Sequence, residues 1–269
     1  MRRMTPFLAL AVGLAACGTQ SGAATAPPRY TATVTVLEDK THGPQMCMLV
    51  QTSMPPQCAG PDVMGWDWSK VRHESEGGTR WGLYALTGTW DGDRLTLTEP
   101  PREPEPRQEP REPAKLETPC PAPEGGWRPV NLARTTLEAM QKASERASTA
   151  EDFAGSWLDH LIEKQPKDGE DHSRDVVLNV AFTGDLAGRE EWIREVWGGA
   201  LCVSRAAYSE KELARVQEQV MKEKGVVSAG HRGNRVELIM WLATPEQRER
   251  LAARYGGALV VEDVLQPVR

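Results

Sequence analysis

Residues Tyr30 to Leu37 read Tyr-Thr-Ala-Thr-Val-Thr-Val-Leu, apolar positions alternating with hydroxyl-bearing ones. Side chains of a strand point to opposite faces in turn, so this run places one face on a core and the other in water. A longer run of the same character extends from Trp81 to Trp90, and a short one from Leu95 to Thr98. Asp91-Gly92-Asp93 between them predicts a hairpin, because Asp-Gly suits a tight two-stranded turn. The pattern predicts a small all-β domain over residues 29–99, four or five strands closed into a barrel-like, OB-like fold.

Past residue 130 the period changes. Residues 132–149 have helical spacing, Val176 to Thr183 reads as a buried strand, and Arg189 to Trp197 predicts a helix with Trp192, Ile193, Val196 and Trp197 on one face. Gly198-Gly199 stops that helix, and Ala200 to Ser204 follows as a strand. Ser209-x-x-Glu212 is a capping box opening a helix with Leu213, Val216 and Val220 inward. Val226 to Ala229 and Val236 to Leu242 predict a hairpin around residues 231–234. Thr244-Pro245-Glu246-Gln247 supplies an N-cap, a first-turn proline and an N3 glutamine. The helix it opens carries Leu251, Ala252 and Tyr255, stops at Gly256-Gly257, and gives way to a last strand over residues 258–265.

From Ala200 onward the element order is β-α-β-β-α-β, the ferredoxin-like pattern. The expected fold class is α+β: a barrel followed by an α/β sandwich over residues 130–269. Val196-Trp197-Gly198-Gly199-Ala200-Leu201-Cys202-Val203 is echoed by Arg254-Tyr255-Gly256-Gly257-Ala258-Leu259-Val260-Val261. The echo predicts two related units, and an aromatic followed by two glycines is what a helix end packed on a sheet requires. Residues 100–129 separate the two halves. Their first fourteen, PPREPEPRQEPREP, hold six prolines, which argues for an extended, semi-rigid spacer.

The chain start reads differently again. Arg2 and Arg3 precede an apolar run from Phe7 to Ala16, ten residues where a membrane span needs about 20. Leu14-Ala15-Ala16-Cys17 resembles a bacterial lipobox, which implies a signal peptide at 1–16, lipidation of Cys17 and a small-residue tether over 17–28. The net charge of −6 becomes −8 once Arg2 and Arg3 are removed. That balance argues against nucleic-acid partners and leaves the membrane to be reached through the lipid alone.

Export decides how the remaining cysteines read. Cys47, Cys58, Cys120 and Cys202 are even in number, and in an oxidising compartment that means disulfides. The expected pairs are Cys47–Cys58, a local staple, and Cys120–Cys202, which follows by elimination. Zinc needs closer cysteine pairs or histidines at ligand spacing, and the chain has neither. No metal and no cofactor is expected.

No nucleophile elbow, P-loop, dinucleotide fingerprint or metalloprotease motif occurs. His160 with Glu163, and Glu170-Asp171-His172, sit in a strongly polar stretch and read as solvated loop. Trp66-Asp67-Trp68 is the most suggestive patch. Two indoles beside a carboxylate stack on sugars or on a peptide when exposed; turned inward, they fill a small β core.

The segments HGPQMC, PPQCAGPDVMGWDW, TGTWDGDRLTLTEPP, VLNVAFTGDL and EVWGGALCVS resemble uncharacterised lipoproteins of high-GC Gram-positive bacteria. The resemblance spans nearly all of the chain after residue 17. It implies an envelope location and carries over no catalytic residue. The C-terminal half is also similar, in pattern only, to the prodomains of secreted serine proteases. Two function classes follow. One is a non-enzymatic binding or structural protein tethered to the cell envelope, with an envelope protein or a glycan as partner. The other is an envelope enzyme using an unmarked carboxylate site, or a prodomain-like inhibitor or chaperone. The anchor is tested directly: Cys17→Ala should move the protein from the membrane fraction into the medium, and retention in the membrane by fractionation and immunoblot would remove the anchor.

Overall fold

The computed structural model of the chain describes residues 26–51, 53–105, 117–162 and 171–268. The expected signal peptide, Cys17 and most of the tether lie outside the described residues, as do linker residues 106–116 and the carboxylate positions Glu163 and Glu170.

The N-terminal strands are β1 (Arg29–Glu38), β2 (Gln45–Cys47), β3 (Asp62–Met64), β4 (Glu74–Glu76), β5 (Thr79–Trp90) and β6 (Arg94–Leu97). Five of them form a closed barrel in the order β1-β2-β3-β6-β5 and back to β1. Closure is made by antiparallel pairing of β1 with β5 over the full length of β1, from Arg29 opposite Thr89 to Glu38 opposite Arg80. The β3–β6 pair is parallel. The alternation seen in the sequence is the reason β1 fits: Ala32, Val34 and Val36 are buried against Met46, Val63, Tyr84, Leu86 and Leu95. The expected hairpin joins β5 and β6, and the Asp91 carboxylate accepts the backbone N–H groups of Asp93 and Arg94 to hold the turn.

The second half contains α1 (Leu137–Ser148), β7 (Phe153–His160), β8 (Val176–Phe182), α2 (Arg189–Arg194), β9 (Ala200–Arg205), α3 (Glu210–Val220), β10 (Val226–Arg232), β11 (Arg235–Met240), α4 (Pro245–Tyr255), β12 (Leu259–Asp263) and β13 (Gln266–Pro267). The element order from β9 is the expected β-α-β-β-α-β, but these strands do not share one ferredoxin-like sheet. Two three-stranded sheets form instead, β7-β8-β9 and β10-β11-β12. The reason lies in β8, whose seven residues are all buried. A strand covered on both faces needs a neighbour on each side, and β8 takes β7 antiparallel and β9 parallel.

Each half of this region is therefore an α-β-β-α-β module with an antiparallel hairpin and a parallel third strand. The echoed segments fall at the same place in each, the end of the second helix and the start of the third strand. Gly198 shows why glycine stands there in the first module. Its carbonyl accepts the backbone N–H groups of Val130 and Asn131, and a Cβ at that position would lie 2.2 Å from the Asn131 carbonyl oxygen. In the second module Gly256 ends α4 at φ 50°. Both capping boxes, at Ser209 and Thr244, are formed.

The chain end returns to its first strand. β13 pairs with β1 at Tyr30 and Thr31, and Val268 donates its backbone N–H to Arg29. Trp241 and Leu265 are buried within the barrel's own apolar cluster. The expected spacer is more engaged than its prolines suggest. Arg102 makes a two-way backbone bridge with Ala85. Residues 117–129 lie on the back of the first module's sheet, where Trp127 packs on Val177, Ala200 and Cys202. The disulfides are Cys47–Cys58 and Cys120–Cys202, with Cα separations of 6.0 and 5.8 Å.

In the chain-entropy account, closing a loop as long as the Cys120–Cys202 one stabilises by about 4 kcal/mol. The double variant Cys120→Ala/Cys202→Ala should lose about that much in denaturant unfolding, and thiol titration of the unreduced, denatured protein should find no reactive group among residues 26–268. A second check uses pH. The Arg250 guanidinium donates two hydrogen bonds to Glu223, at 2.8 and 2.6 Å, and holds its pKa below the ordinary carboxylate value. A carboxylate depressed in the folded state adds stability above its unfolded pKa of about 4.3 and loses it as pH falls through the folded value. Glu223→Gln should therefore be less stable than the parent at neutral pH, with the gap closing on acidification below about pH 4. A gap of constant size across that range would remove the ion pair as its cause.

Candidate functional site, a groove beside an unpaired strand edge

The tryptophan patch singled out in the sequence turns inward. Trp68 is buried, Trp66 is half-buried, and both pack on Tyr84 within the barrel cluster. The two indoles meet edge-on at 5.1 Å. Trp68 donates Nε1–H to Glu38 at 2.7 Å, and Glu38 in turn accepts from Arg80, whose guanidinium lies 5.6 Å from the Trp68 ring centroid. The Tyr84 hydroxyl donates to the Arg72 carbonyl, and burial pushes its pKa up. Asp67 is exposed and acts locally: it accepts from the Ser69 hydroxyl and backbone N–H and pairs with Lys70, which holds its carboxyl below the usual range. These contacts are packing and turn capping, the bland reading of the patch. His160 and His172 do approach each other, with ring centroids 5.9 Å apart. Among the described residues no group of three or more His, Cys, Asp or Glu side chains is placed to hold a metal.

The feature with open chemistry lies between α1 and β7. A cavity of about 380 Å³ is lined by Leu137, Met140, Gln141 and Ser144 from α1, by Ser156, Trp157 and Leu158 from β7, and by Leu178. None of these side chains carries charge. The helix explains why. Ala139, Ala143 and Ala147 form the stripe that packs on the sheet. Leu137, Met140 and Ser144 recur at i, i+3 and i+7 as a second stripe beside it. Of the charges of α1, Glu138, Lys142 and Glu145 sit on the remaining face, where Glu138 and Lys142 pair, and Arg146 pairs with Glu195 after α2.

β7 is an edge strand: among the described residues only β8 pairs with it. The backbone N–H of Leu161 donates to Asp175 of the facing chain. In an antiparallel ladder bonded residues alternate. Residues 157, 159 and 161 therefore face β8, and Ser156, Leu158 and His160 turn their N–H and C=O groups outward, beside the cavity.

The second module holds a helix side chain at the equivalent edge, that of β10. Arg232 and Arg235 flank a two-residue turn of Gly233 and Asn234, both with positive φ, so counting back along β10 leaves the Ala229 carbonyl facing away from β11. Gln217 of α3 donates Nε2–H to that carbonyl at 2.9 Å. Gln217 lies eight residues after the N-cap Ser209. The residue eight after the N-cap Thr136 of α1 is Ser144, whose short side chain lines the cavity. One chain thus holds a capped and an uncapped version of one arrangement.

Comparison with known protein families, with characterised proteins and with solved structures finds no match. The groove therefore has to be read from its own geometry. The sequence reading passed over β7, because Gly155, Ser156, Asp159 and His160 dilute its apolar pattern. The second stripe of α1 was the available signal.

If the two modules are equivalent at these positions, Ser144→Gln should supply the missing cap and raise stability by about 0.5–1.5 kcal/mol, the usual net value of a hydrogen bond. Gln217→Ala should lower it by a similar amount. Denaturant unfolding with the disulfides intact measures both, and an unchanged midpoint for both variants would break the equivalence.

Proposed function

We propose that this chain is a lipid-anchored protein of the extracytoplasmic face of the cell membrane, with a non-enzymatic docking role exercised at the α1–β7 groove. The single observation that carries the docking part is the unpaired edge of β7 opening on an uncharged, largely apolar cavity. A strand edge offers donors and acceptors at strand spacing, and an extended segment of another protein satisfies them by adding a strand, with alternate side chains entering the groove. A glycan partner is less favoured, since the indoles of Trp66 and Trp68 are occupied by core packing. The anchor is supported by the lipobox resemblance at Cys17 and by two cystines, which persist in oxidising compartments. Among the described residues no helix is long and apolar enough to cross a membrane.

The strand order β1-β2-β3-β6-β5 with a parallel β3–β6 pair supports an OB-like reading of the barrel. The enzyme alternative asks for a carboxyl group with raised proton affinity. The resolved carboxyl shifts, at Asp67, Asp91, Glu138, Asp171, Glu212 and Glu223 among others, are all downward, caused by turn N–H groups, hydroxyls and paired Lys or Arg. Those groups are committed to capping and ion pairing.

Docking predicts slow amide exchange at an edge to which, among the described residues, no strand other than β8 is paired. Hydrogen exchange of the 154–160 segment should be slower in envelope preparations of the full-length protein than in the dilute soluble chain. Equal rates in the two would remove the docking role.

A further inference from the structure

We propose that the occupant of the β7 edge is a second copy of this chain, docked by antiparallel pairing of β7 with β7 about a two-fold axis at Leu158. The inference rests on the docking reading above and names its partner. An antiparallel strand is self-complementary under a two-fold rotation: the outward N–H of Leu158 meets the outward C=O of Leu158 in the second copy, and Ser156 meets His160. The result is a continuous six-stranded sheet with the two α1 helices side by side over the dyad, each turning its Leu137, Met140, Ser144 stripe toward the other.

Three observations favour this occupant. The first is charge. Two copies of the chain without Arg2 and Arg3, each of net charge −8, repel each other over most of their surface. The α1–β7 groove is lined wholly by uncharged side chains, and pairing Ser156 with His160 brings no like charges together. The second is the absence of guards. Free edges are normally blunted by lysine, proline or a bulge. Residues 156–160 contain neither residue, their one charged side chain, Asp159, is engaged by the Thr118 N–H, and both the irregularity in β7 and the approach of Glu210 of α3 lie earlier, at Phe153 to Gly155. The third is the extent of the vacancy. One glutamine serves the Ala229 carbonyl of β10, whereas Ser156, Leu158 and His160 offer a donor and an acceptor each, a row that water meets in the free chain and that an added strand meets at matching spacing. Leu137, Leu161 and Ile162, all exposed at the same end of β7, add apolar surface for the second copy to cover.

The test uses the soluble chain from Ala23 with both disulfides intact. Sedimentation velocity across a micromolar concentration series should show a monomer–dimer equilibrium. Ser156→Lys, which puts like charges on both copies, should weaken it at least about tenfold. Ser156→Pro should do the same, since it deletes an outward N–H and leaves the β8 ladder whole. Both variants should keep the parent's circular dichroism and unfolding midpoint. Register is read separately: mixing Ser156→Cys with His160→Cys protein should give a covalent heterodimer under mild oxidation, and either variant alone should not cross-link. A monomer at every concentration, a dimer indifferent to both substitutions, or cross-linking of each single cysteine variant with itself would overturn the proposal. A monomeric chain whose β7 amides are still protected in the envelope, where co-expressed full-length Ser156→Cys and His160→Cys proteins fail to cross-link, would place a different protein in the groove, overturning the second copy while leaving the docking role.

Discussion

A peptide group removed from water has to find a hydrogen-bond partner, and the arrangement of this chain follows from where its strands find theirs. The N-terminal strands solve the problem by closure, because β1 pairs along its whole length with β5 and the barrel has no open side there. β1 also receives β2 and β13 at different points of its other edge. The second module meets the same demand with a side chain, Gln217 on the Ala229 carbonyl. The first module leaves the demand open at Ser156, Leu158 and His160. Other strands of the two modules also end their sheets, and what singles out β7 is that its edge adjoins a cavity lined wholly by uncharged side chains.

The same requirement ties the ends of the chain together. Val264 and Leu265 donate their backbone N–H groups to Met240 and Trp241, which fixes the exit from β12 and delivers Leu265 into the barrel cluster beside Trp241. The barrel core is thus completed by residues that the sequence assigned to the far domain. The linker described from residue 117 onward is likewise drawn in. Thr118 donates its N–H to Asp159 and accepts from Asn179, a fully buried amide in the otherwise apolar β8. Cys120 is held to Cys202 two positions further on. Proline content argued correctly against a continuous ladder through residues 100–113, and it said nothing about how the chain beyond them packs.

What could be read from the sequence was what is local. The alternation in β1, the Asp-Gly hairpin, the capping boxes at Ser209 and Thr244 and the echo around Trp197 and Tyr255 each depend on residues within a few positions of one another. The disulfide partners were legible because parity and compartment left few choices. Sheet partition was not, since whether β9 joins β8 or the following hairpin is decided by burial across the fold. β7 was missed because half of its residues are polar or glycine, as an edge beside a groove permits. The Trp66-Asp67-Trp68 patch was ambiguous for a similar reason: composition gives an indole's affinity for surfaces and does not say which surface, and here it is Tyr84 and the barrel interior.

The duplication gives the groove its meaning. Two modules with the same element order, the same capped entry to the first helix and the same two-glycine exit from the second diverge at the position eight residues past the N-cap, serine in one and glutamine in the other. A single cavity can be an accident of packing. A cavity that appears where its counterpart is plugged, lined by a helix stripe free of charge on an acidic chain, and bounded by strand groups with no protein partner among the described residues, is three features agreeing at one place. In the lipid-anchored state proposed above, confinement of such an edge to a membrane surface would raise the local concentration of like molecules, and with it the weight of even a weak self-complementary contact. The open edge, rather than the aromatic cluster packed into the barrel, is therefore where the docking role is proposed.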